Sequence, residues 1–588
     1  MYQQISRPSQ RRLASLAIAI LVIGGLFAVR LFDRQVLKKH VYAAQAEKQY
    51  YTKIEQPAKR GTIYIKDSES VDLIDEAKSG LFPVATQLEL YNITAVPRHI
   101  DDKAEVARRL APILGEDETK ILEAINIDKW YIPPLKKRVS KKVSDQVAAL
   151  NLKGIYIEGQ YSRFYPEREF MSQILGFVDF EGSGRYGLEE YYDGILKGEG
   201  GVLKGIKDNL GRIFEVRESD PGKDGASLVL TIDRSIQYMV EKKLEEGIKR
   251  YGAEGGSIVI MDPKTGGVLA MASLPDYDPN KFNEISTDSQ SVFLNPVVAL
   301  NWEPGSIFKP IIVSMAITEE RVEPDSKPDD IPGGFGNFVV VDGYEIHNSQ
   351  DKAFGYETVT EILENSDNIG MIWVANKMEN SIIGDYLKKF GFGQKSGIDL
   401  SGESPGQVIP TRKWRDVNRA TISFGQGIST TPMQIISAFS VLANKGRMAK
   451  PRILDKVIEG DSERSVEVTE PRQILSEEDT KKMVEMLVSV IERGHGKKAA
   501  VEGFRVAGKT GTAQIPKADG GYEESQHIGS FAGFAPADDP KFVMLVKFNK
   551  PKSVEWAESS AAPIFGEIAD WLLNSYYKLP KTQNEKAT

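Results

Sequence analysis

An apolar run close to the N-terminus constrains this chain more than any other feature. Leu13–Val29 contains Ser15 as its only polar residue. A helix needs roughly 20 apolar residues to cross the hydrocarbon core of a bilayer, and the two apolar residues after Arg30 extend the run if that arginine reaches the interface. The run therefore predicts one transmembrane anchor at 13–32, preceded by a short segment at 1–12.

The alternative for this run is a cleaved secretory signal. Its apolar stretch is long for a signal, and no clear small-residue cleavage site precedes Arg30. Arg11 and Arg12 lie before the run, whereas Arg30 and Arg34 lie after it, so the excess of positive charge that marks the cytoplasmic side leaves the orientation undecided. No later stretch is apolar enough to return, and the sequence therefore predicts one anchor and one large soluble body.

The composition narrows the chemistry that this body can perform. The chain has no cysteine, which removes disulfides, thiolate metal sites and cysteine nucleophiles. The five histidines show no metal-binding spacing, so we expect neither a metal nor a cofactor. A net charge of −8 spread over 588 residues argues against a nucleic-acid partner, because such a surface needs a concentrated basic face.

The pattern of helical and strand-like segments changes near residue 225, and this change divides the soluble part into two regions. From 33 to 225, short helical patterns alternate with extended pieces and glycine-rich loops. From 226 to 580, strand patterns such as Ser227–Ile232 lie at both ends and helical patterns lie between them. This order predicts an α+β domain with one antiparallel sheet and helices on its faces. Residues 581–588 have the composition of a disordered tail.

The clearest candidate for catalysis is Ser306, in Asn301-Trp-Glu-Pro-Gly-Ser-Ile-Phe-Lys-Pro310. A Pro-Gly turn precedes the serine, and the apolar stretch Ile307–Ile317 predicts a helix after it. A helix start offers free backbone N–H groups and the positive end of the helix dipole to a developing anion. Lys309 lies three residues on, hence on the same face. Burial lowers the pKa of a lysine, so this side chain can take the serine proton without any histidine.

The pattern S-x-x-K is weak by itself. It also occurs at Ser349, which no apolar helix follows, and at Ser575, which lies against the tail, so we regard both as chance matches. Taken alone, Ser306 and Lys309 are better explained by a helix cap and a lysine that reaches the surface. Further motifs are needed to decide whether Ser306 is a catalytic nucleophile.

Two further triplets occur downstream. Ser366-Asp-Asn368 precedes the apolar stretch Ile369–Met378, and Lys509-Thr-Gly-Thr512 follows the strand-like Phe504–Ala507. Taken singly, the first fits a plain helix N-cap and the second fits a strand end with a turn. A second triplet of the K-S-G form, at Lys395, lies in a glycine-rich connection with no strand before it, so we reject it.

The third triplet overlaps a rival pattern. Gly503–Thr510 matches the phosphate-binding loop G-x-x-x-x-G-K-T letter for letter. That loop needs a glycine-rich turn after a strand and a helix that begins at the lysine. Here the four intervening residues have the composition of a strand, and Gly511–Pro516 is unsuited to begin a helix. We therefore expect no nucleotide site.

The ordered set S-x-x-K, S-D-N and K-T-G is the signature of penicillin-interacting serine acyltransferases. With these motifs the chain resembles the class B penicillin-binding proteins over nearly its whole length. The likeness extends to further segments, which are Ile260–Gly266, Ala270–Pro275, Ser423–Ile428, Thr431–Gln434, Ala443–Gly446, Arg60–Ile63, Arg163–Pro166 and Gly184–Glu189. It implies a transpeptidase domain at 226–580 on an elongated, non-catalytic α/β pedestal at 33–225.

The resemblance implies a role for each residue of the first two motifs. Ser306 would attack the carbonyl between the two terminal D-alanines of a donor stem peptide, with Lys309 as general base. Ser366 would relay a proton toward the leaving D-alanine or from the incoming amine. Asn368 would hydrogen-bond the donor backbone and Lys309. An acceptor amine, instead of water, would then resolve the acyl-enzyme.

The third motif would bind the donor. Lys509 would supply positive field, and the hydroxyls of Thr510 and Thr512 would hold the donor carboxylate, with Gly511 between them. The backbone N–H groups of Ser306 and Thr512 would form an oxyanion hole. β-Lactams would acylate the same serine and so inhibit the enzyme.

The resemblance also implies partners and a location. These are donor and acceptor stem peptides, a polytopic lipid-linked glycosyltransferase, divisome proteins, and a membrane with the catalytic body outside and 1–12 in the cytoplasm. The phenylalanine of Ser423-Phe-Gly-Gln-Gly427 and the absence of added C-terminal modules are typical of the division (septal) type. Two departures, at Ile65–Glu69 and at Gly494-His-Gly496, bear on subtype. The alternatives are an elongation-type transpeptidase, a D,D-carboxypeptidase or β-lactamase-like hydrolase, and a β-lactam sensor or scaffold with the same fold.

Overall fold

The computed structural model describes residues 7–42, 51–56, 58–67, 80–130, 132–207, 213–517 and 521–581. The tail expected at 581–588 lies outside these residues from 582 onward. The described chain forms two compact units, of which the smaller comprises residues up to Ala58 together with Gly198–Asp224. The larger comprises Lys59–Lys197 and the chain from Gly225 onward. Since the larger unit holds residues from both sides of position 225, the division into pedestal and transpeptidase domains stays a prediction.

The α-helices of the described residues are α1 Arg7–Phe32, α2 Lys103–Leu114, α3 Glu118–Ile125, α4 Lys141–Ala149, α5 Ser172–Leu175, α6 Gly187–Tyr191, α7 Asp193–Leu196, α8 Arg234–Tyr251, α9 Pro296–Ala299, α10 Lys309–Thr318, α11 Val359–Asn365, α12 Asn368–Asn376, α13 Asn380–Lys389, α14 Asp416–Ser423, α15 Pro432–Ala443, α16 Glu477–Glu492 and α17 Ala561–Trp571. The strands are β1 Tyr51–Gln56, β2 Ile63–Lys66, β3 Leu81–Ala95, β4 Lys136–Val139, β5 Ile155–Phe164, β6 Phe177–Val178, β7 Gly184–Arg185, β8 Gly201–Lys207, β9 Ile213–Asp220, β10 Ser227–Asp233, β11 Gly255–Met261, β12 Val268–Leu274, β13 Phe338–Val341, β14 Tyr344–His347, β15 Arg447–Met448, β16 Leu454–Glu459, β17 Ser462–Ser465, β18 Arg472–Gln473, β19 Ala507–Pro516, β20 Tyr522–Ala535 and β21 Phe542–Asn549.

The smaller unit contains α1 and an antiparallel sheet in the order β1-β8-β9. A π-helical turn, Asp33–Leu37, continues α1. Within Arg11–Leu37, a window of 18 residues has a mean hydropathy of 2.3, and none of that window is buried in the protein. Among the described residues this segment is the one helix that is long and apolar enough to cross a bilayer. The anchor predicted at 13–32 is therefore helical throughout, and the helix already begins at Arg7.

A five-stranded antiparallel sheet in the order β12-β11-β21-β20-β19 lies at the centre of the larger unit. Strands from the two ends of the domain are adjacent in it, since β11 pairs with β21 from Gly255 opposite Asn549 to Met261 opposite Val543. Alternate residues of these strands pack in two hydrophobic clusters. One cluster includes α8 and α17, and the other includes α10, α12 and α15. The predicted α+β architecture, a sheet with helices on both faces, is confirmed.

The strand expected at Ser227–Ile232 exists as β10 but belongs to a different sheet. β10 pairs with β16 in antiparallel and with β2 in parallel orientation, in the order β17-β16-β10-β2-β3-β4, and β5 pairs with β3. It is buried along its length after Ser227, as expected of a central strand that is covered on both faces. A sequence pattern identifies a strand from its neighbours, whereas its pairing depends on segments far away in the chain.

The K-T-G motif lies inside a strand, and not after one. β19 begins at Ala507, where the predicted strand Phe504–Ala507 was expected to end, and it pairs with β20 from Ala507 opposite Phe534 onward. The hydrophobic pattern misses this strand because Lys509 and Thr510 are polar on successive faces. A strand in this place also excludes the helix that a phosphate-binding loop requires after its lysine.

Candidate active site

Ser306 lies in a 3-10 turn, Gly305–Phe308, that leads directly into α10. Pro310 is the second residue of α10, where a missing backbone N–H removes no intrahelical bond. Every residue of α10 from Lys309 to Ile317 is buried, so the helix behind the serine is anchored in the core. The predicted helix start at Ser306 is confirmed, with a tighter first turn than an α-helix has.

The loop that follows α14 holds this turn in place. The Gly305 N–H donates to the Gly425 carbonyl at 3.1 Å. A Cβ on Gly425 would lie 2.2 Å from the Gly305 carbonyl oxygen, and Gly425 has a φ of 80°. Both facts require glycine at this position. The sequence analysis used this glycine-rich segment only as a family likeness, whereas the structure shows that it supports the nucleophile turn.

Lys309 is fully buried beneath the turn. Its Nζ donates to the Ser366 carbonyl at 2.5 Å and to Asn368 Oδ1 at 2.8 Å, and it lies 3.2 Å from Ser366 Oγ. Burial and the nearby positive charge of Lys509 lower the pKa of Lys309 well below its usual value, while Asp367 opposes the shift. The neutral amine form of Lys309 is therefore more populated than it is in an ordinary, exposed lysine.

Ser366 lies between two buried lysines. It follows α11 in a left-handed conformation with a φ of 57°, which is uncommon for a residue other than glycine. Its Oγ is 3.2 Å from the Nζ of Lys309 and 3.1 Å from the Nζ of Lys509. Lys509 is also fully buried, and burial lowers its pKa to about 7. One hydroxyl thus links two amines whose pKa values are both lowered by burial.

The S-D-N triplet both caps a helix and contacts the buried lysine, the two interpretations that its sequence allowed. Asp367 is the N-cap of α12, since its Oδ1 accepts a hydrogen bond from the Ile369 N–H at 2.7 Å. Its two neighbours, Ser366 and Asn368, make the contacts with Lys309. The N-cap interpretation therefore applies to the middle residue, while the outer residues face the site.

Asn348, which the sequence analysis did not single out, supports the same triplet. Its Oδ1 accepts from the N–H groups of Asn368 at 2.8 Å and Ile369 at 3.3 Å, and its Nδ2 donates to the Lys352 carbonyl at 3.1 Å. The side chain of Asn368 in turn donates to the His347 carbonyl at 3.1 Å. Asn348 directly follows β14. It caps a helix that begins 20 residues later, and no local sequence pattern predicts such a contact.

β19 lies against the nucleophile turn because Gly511 has no side chain. A Cβ at Gly511 would lie 2.8 Å from Ile307 Cγ2 and 3.1 Å from the Ile307 nitrogen. The neighbouring Thr512 accepts a hydrogen bond at Oγ1 from the Ala557 N–H at 3.1 Å. The small residue in the middle of K-T-G is therefore required for the close approach of strand and turn.

A cleft of about 1250 Å³ brings the three motifs together. Five of the predicted residues line it, namely Ser306, Ser366, Asn368, Thr510 and Thr512. Lys309 and Lys509 lie beneath its surface and reach it through Ser366. Ser306 Oγ makes no hydrogen bond with any described residue, so its hydroxyl is open to the cleft.

The chance S-x-x-K matches do not form comparable sites. Ser349 also lines the cleft, but it lies in a 3-10 turn, Ser349–Asp351, and the Nζ of Lys352 lies 4.7 Å from the ring centre of Phe354. Ser575 lies in a π-helical turn, Leu572–Tyr576. Neither serine has a buried lysine beside it, as far as the described residues show.

Comparison with known proteins agrees with this geometry. The family model described as "Penicillin binding protein transpeptidase domain" matches residues 256–570, and the "Penicillin-binding Protein dimerisation domain" matches 55–230. Stage V sporulation protein D of Bacillus subtilis is 36% identical over 542 residues, which are 89% of this chain and 82% of that protein. The peptidoglycan D,D-transpeptidase FtsI of Escherichia coli K12 is 30% identical over 505 residues, which cover 84% and 82% respectively.

A solved structure shares the fold. The crystal structure of penicillin-binding protein 3 from Mycobacterium tuberculosis, complexed with aztreonam, matches with a TM-score of 0.68 and 26% identity. The match covers 90% of this chain and 98% of that one. The transpeptidase model alone spans more than half of the 588 residues, and α1 provides one candidate membrane span. The chain is therefore a single-pass membrane protein that belongs to the class B penicillin-binding proteins.

Proposed function

We propose that this protein is a peptidoglycan D,D-transpeptidase that cross-links stem peptides through an acyl-enzyme on Ser306. The observation that carries the proposal is the position of Ser366 Oγ, within 3.2 Å of Lys309 Nζ and 3.1 Å of Lys509 Nζ, in the cleft that Ser306 lines. Serine acylation without histidine needs an amine that is neutral at working pH, and burial provides it here.

Lys309 acts as the general base. A neutral lysine has two N–H groups and one lone pair, and the two N–H groups are used by the Ser366 carbonyl and Asn368 Oδ1. The lone pair is left for the proton of Ser306. Ser366 then passes a proton between Lys309 and the departing D-alanine nitrogen, because its hydroxyl can both donate and accept.

The donor is held at β19. Lys509 supplies positive field, and the hydroxyls of Thr510 and Thr512 bind the carboxylate of the terminal D-alanine. The backbone N–H groups of Ser306 and Thr512 stabilise the oxyanion, a contribution of about 3–4 kcal/mol per donor in comparable sites. An acceptor amine attacks the acyl-enzyme carbonyl and breaks its ester bond to Ser306. The proton of the amine passes through Ser366 to Lys309, and Lys309 returns a proton to Ser306 Oγ. A β-lactam carbonyl takes the donor's place and leaves a stable adduct on Ser306.

The likeness to FtsI supports a division (septal) role, with the body on the extracytoplasmic side and 1–12 in the cytoplasm. A polytopic lipid-linked glycosyltransferase and divisome proteins are the partners that such a role requires. A second candidate is wall synthesis in sporulation, which the name of the Bacillus subtilis relative favours. Localisation of a fluorescent fusion in dividing and in sporulating cells separates the two roles, and a signal along the side wall of growing cells would contradict both.

The catalytic proposal is tested with the full chain in detergent. Ser349→Ala is the matched control for Ser306→Ala, because both serines line the cleft and both begin an S-x-x-K pattern. We expect a fluorescent penicillin to label the wild type and Ser349→Ala but not Ser306→Ala. With a D-alanyl-D-alanine donor and an acceptor amine, the wild type should form an amide product.

Each other result points to a different function. A label that survives in Ser306→Ala contradicts the acyl-enzyme. A Ser306-dependent label without amide product indicates a β-lactam sensor. Hydrolysed donor as the sole product indicates a carboxypeptidase.

A further inference from the structure

A buried lysine that belongs to none of the three motifs lies in the central sheet. Lys547, in β21, is 8% exposed. Its Nζ donates to Asn549 Oδ1 at 2.5 Å and lies 5.3 Å from the ring centre of Trp302. Within the described part of the chain it forms no ion pair with a carboxylate. A buried ammonium without a counter-charge destabilises a fold, so its presence requires a reason.

Lys547 is part of a polar row across the sheet. In the strand register Ser257 lies opposite Lys547, Lys547 opposite Ser530, and Ser530 opposite Gly511. Residues opposite each other project from the same face of a sheet. Ser530 Oγ donates to the Gly511 carbonyl at 3.1 Å. The row therefore leads from Lys547 to the glycine of β19 that contacts the nucleophile turn.

On its other side Lys547 contacts the segment that precedes the nucleophile. Trp302 lies four residues before Ser306 and is 6% exposed. Its backbone exchanges two hydrogen bonds with Thr430, each of 2.9 Å. Its indole Nε1 is buried and has no acceptor among the described residues. The ring is therefore held by packing and by the contact of its π face with the ammonium.

The pKa of Lys547, and hence its charge near neutral pH, is shifted by burial alone. The helices α9 and α15 and the turn Gly305–Phe308 pack on this side of the sheet and contain no acidic or basic residue. The charged helix α16 packs on the same side against β19, and Lys509 projects from the same face two strands away from Lys547. Glu303, next to Trp302, is engaged by the Gly427 N–H at 2.9 Å and the Tyr522 hydroxyl at 3.0 Å. Burial lowers the pKa of Lys547 to about 8, with no contribution from a charged neighbour. The lysine is thus charged at neutral pH and loses its charge just above it.

We propose that Lys547 is a positioning residue for the acylation of Ser306, whose charge holds the indole of Trp302 and so fixes the nucleophile turn against β19. The proposal rests on the transpeptidase function proposed above, since it concerns the same serine. A turn that shifts relative to β19 moves the Ser306 and Thr512 N–H groups apart, and misplacement of that kind slows catalysis without preventing folding.

Lys547→Met tests the proposal, because methionine keeps the length of the stem and removes the charge. Lys541→Met is the matched control, since Lys541 lies just before β21 and pairs with Asp539 on the surface. In the full chain in detergent we expect Lys547→Met to be acylated by fluorescent penicillin about 3- to 30-fold more slowly than the wild type at pH 7. The control should match the wild type.

The pH dependence has a defined sign. Lys547 is protonated below its pKa, so the ratio of wild-type to Lys547→Met acylation rates should be largest below pH 8 and should approach one above it. Titrations that both proteins share cancel in this ratio. The proposal is overturned if the wild type and Lys547→Met are acylated at equal rates at pH 7, or if the ratio of their rates does not change with pH.

Two further measurements separate positioning from structural support. Methionine carries no desolvation penalty, so the Tm of Lys547→Met should equal or exceed that of the wild type. A Tm that falls together with the rate indicates a structural role and overturns the proposal. The difference in fluorescence between the wild type and Trp302→Phe should titrate near pH 8, and this titration should vanish in the Lys547→Met background. A titration that persists in the Lys547→Met background would show that the contact with Lys547 does not fix the ring of Trp302.

The fluorescence titration needs no acylation. A wild type that forms no penicillin adduct counts against the proposed function, whereas the titration still tests the contact between Lys547 and Trp302.

Discussion

At the scale of single residues, the electrostatics of the site are set by two buried lysines that share the hydroxyl of Ser366. Both are fully buried, so each charge is costly, and the charge of Lys509 further disfavours that of Lys309. The form with Lys309 neutral and Lys509 charged is the one that supplies both a base and a carboxylate-binding cation.

Donor binding should weaken as pH rises through about 7. The pKa of Lys509 is lowered to about 7, so its charge is present below this pH and is lost above it. The KM for a D-alanyl-D-alanine donor, measured from pH 6 to 9, should rise on the alkaline side. Lys509→Arg keeps its charge at every pH, so its KM should lack this rise even if its turnover is lower. A wild-type KM that is flat over this range, or the same rise in the arginine variant, would contradict the role of Lys509.

The candidate residues were predictable from sequence, but their contacts were not. The order of the three motifs singles out Ser306, Lys309 and the other proposed residues because each motif combines residue types that the chemistry needs. Ser366 reaches both lysines only because it adopts a left-handed conformation at the end of α11. No pattern of neighbouring residues encodes that conformation.

At the scale of elements, the hairpin β13–β14 determines where α12 begins. Asn348, just after β14, is 4% exposed and uses its side-chain oxygen to cap the first N–H groups of α12. The position of Asn368 relative to Lys309 therefore depends on a hairpin that carries no catalytic residue. Helix caps from a distant segment stabilise in the same way as local ones, because they satisfy the same unpaired N–H groups.

Asn348→Ala should destabilise the protein by about 1–2 kcal/mol and slow acylation by penicillin, because it leaves the Asn368 N–H without its acceptor, whereas the Ile369 N–H keeps Asp367. Asn337→Ala is the control, since the Asn337 side chain makes no hydrogen bond with a described residue. Thermal unfolding and the labelling rate of both variants measure the effect. The interpretation fails if Asn348→Ala labels as fast as Asn337→Ala.

At the scale of the whole molecule, a buried ion cluster joins segments of the larger unit that are far apart in sequence. Glu189 is fully buried and binds Arg60 Nε at 2.7 Å and Arg163 Nε at 2.6 Å. Arg60 also binds Asp193 at 2.7 Å. Arg60, Arg163 and Glu189 belong to the N-terminal segments that carried the family likeness, and their contacts give that likeness a structural reason.

Glu189→Gln should unfold at a clearly lower temperature than the wild type. It leaves two buried guanidinium groups facing a neutral amide, and removing one partner of a buried pair costs about 3–5 kcal/mol. Glu181→Gln, at an exposed glutamate a few residues earlier, is the control and should be neutral. Thermal unfolding of the full chain in detergent checks this. Equal unfolding temperatures for the two variants would show that the cluster contributes little stability.

The sequence by itself determined the membrane anchor, the α+β class and the residues proposed to react, because each follows from local composition, periodicity or motif chemistry. Only the tertiary structure decided that β10 lies in the second sheet, that K-T-G lies within β19, and that Asn348 and Gly425 support the reacting residues. The physical reason is the same in each case. Strand pairing, close backbone approach and burial of a lysine arise from segments far apart in the chain, and a local pattern contains no information about which segments meet.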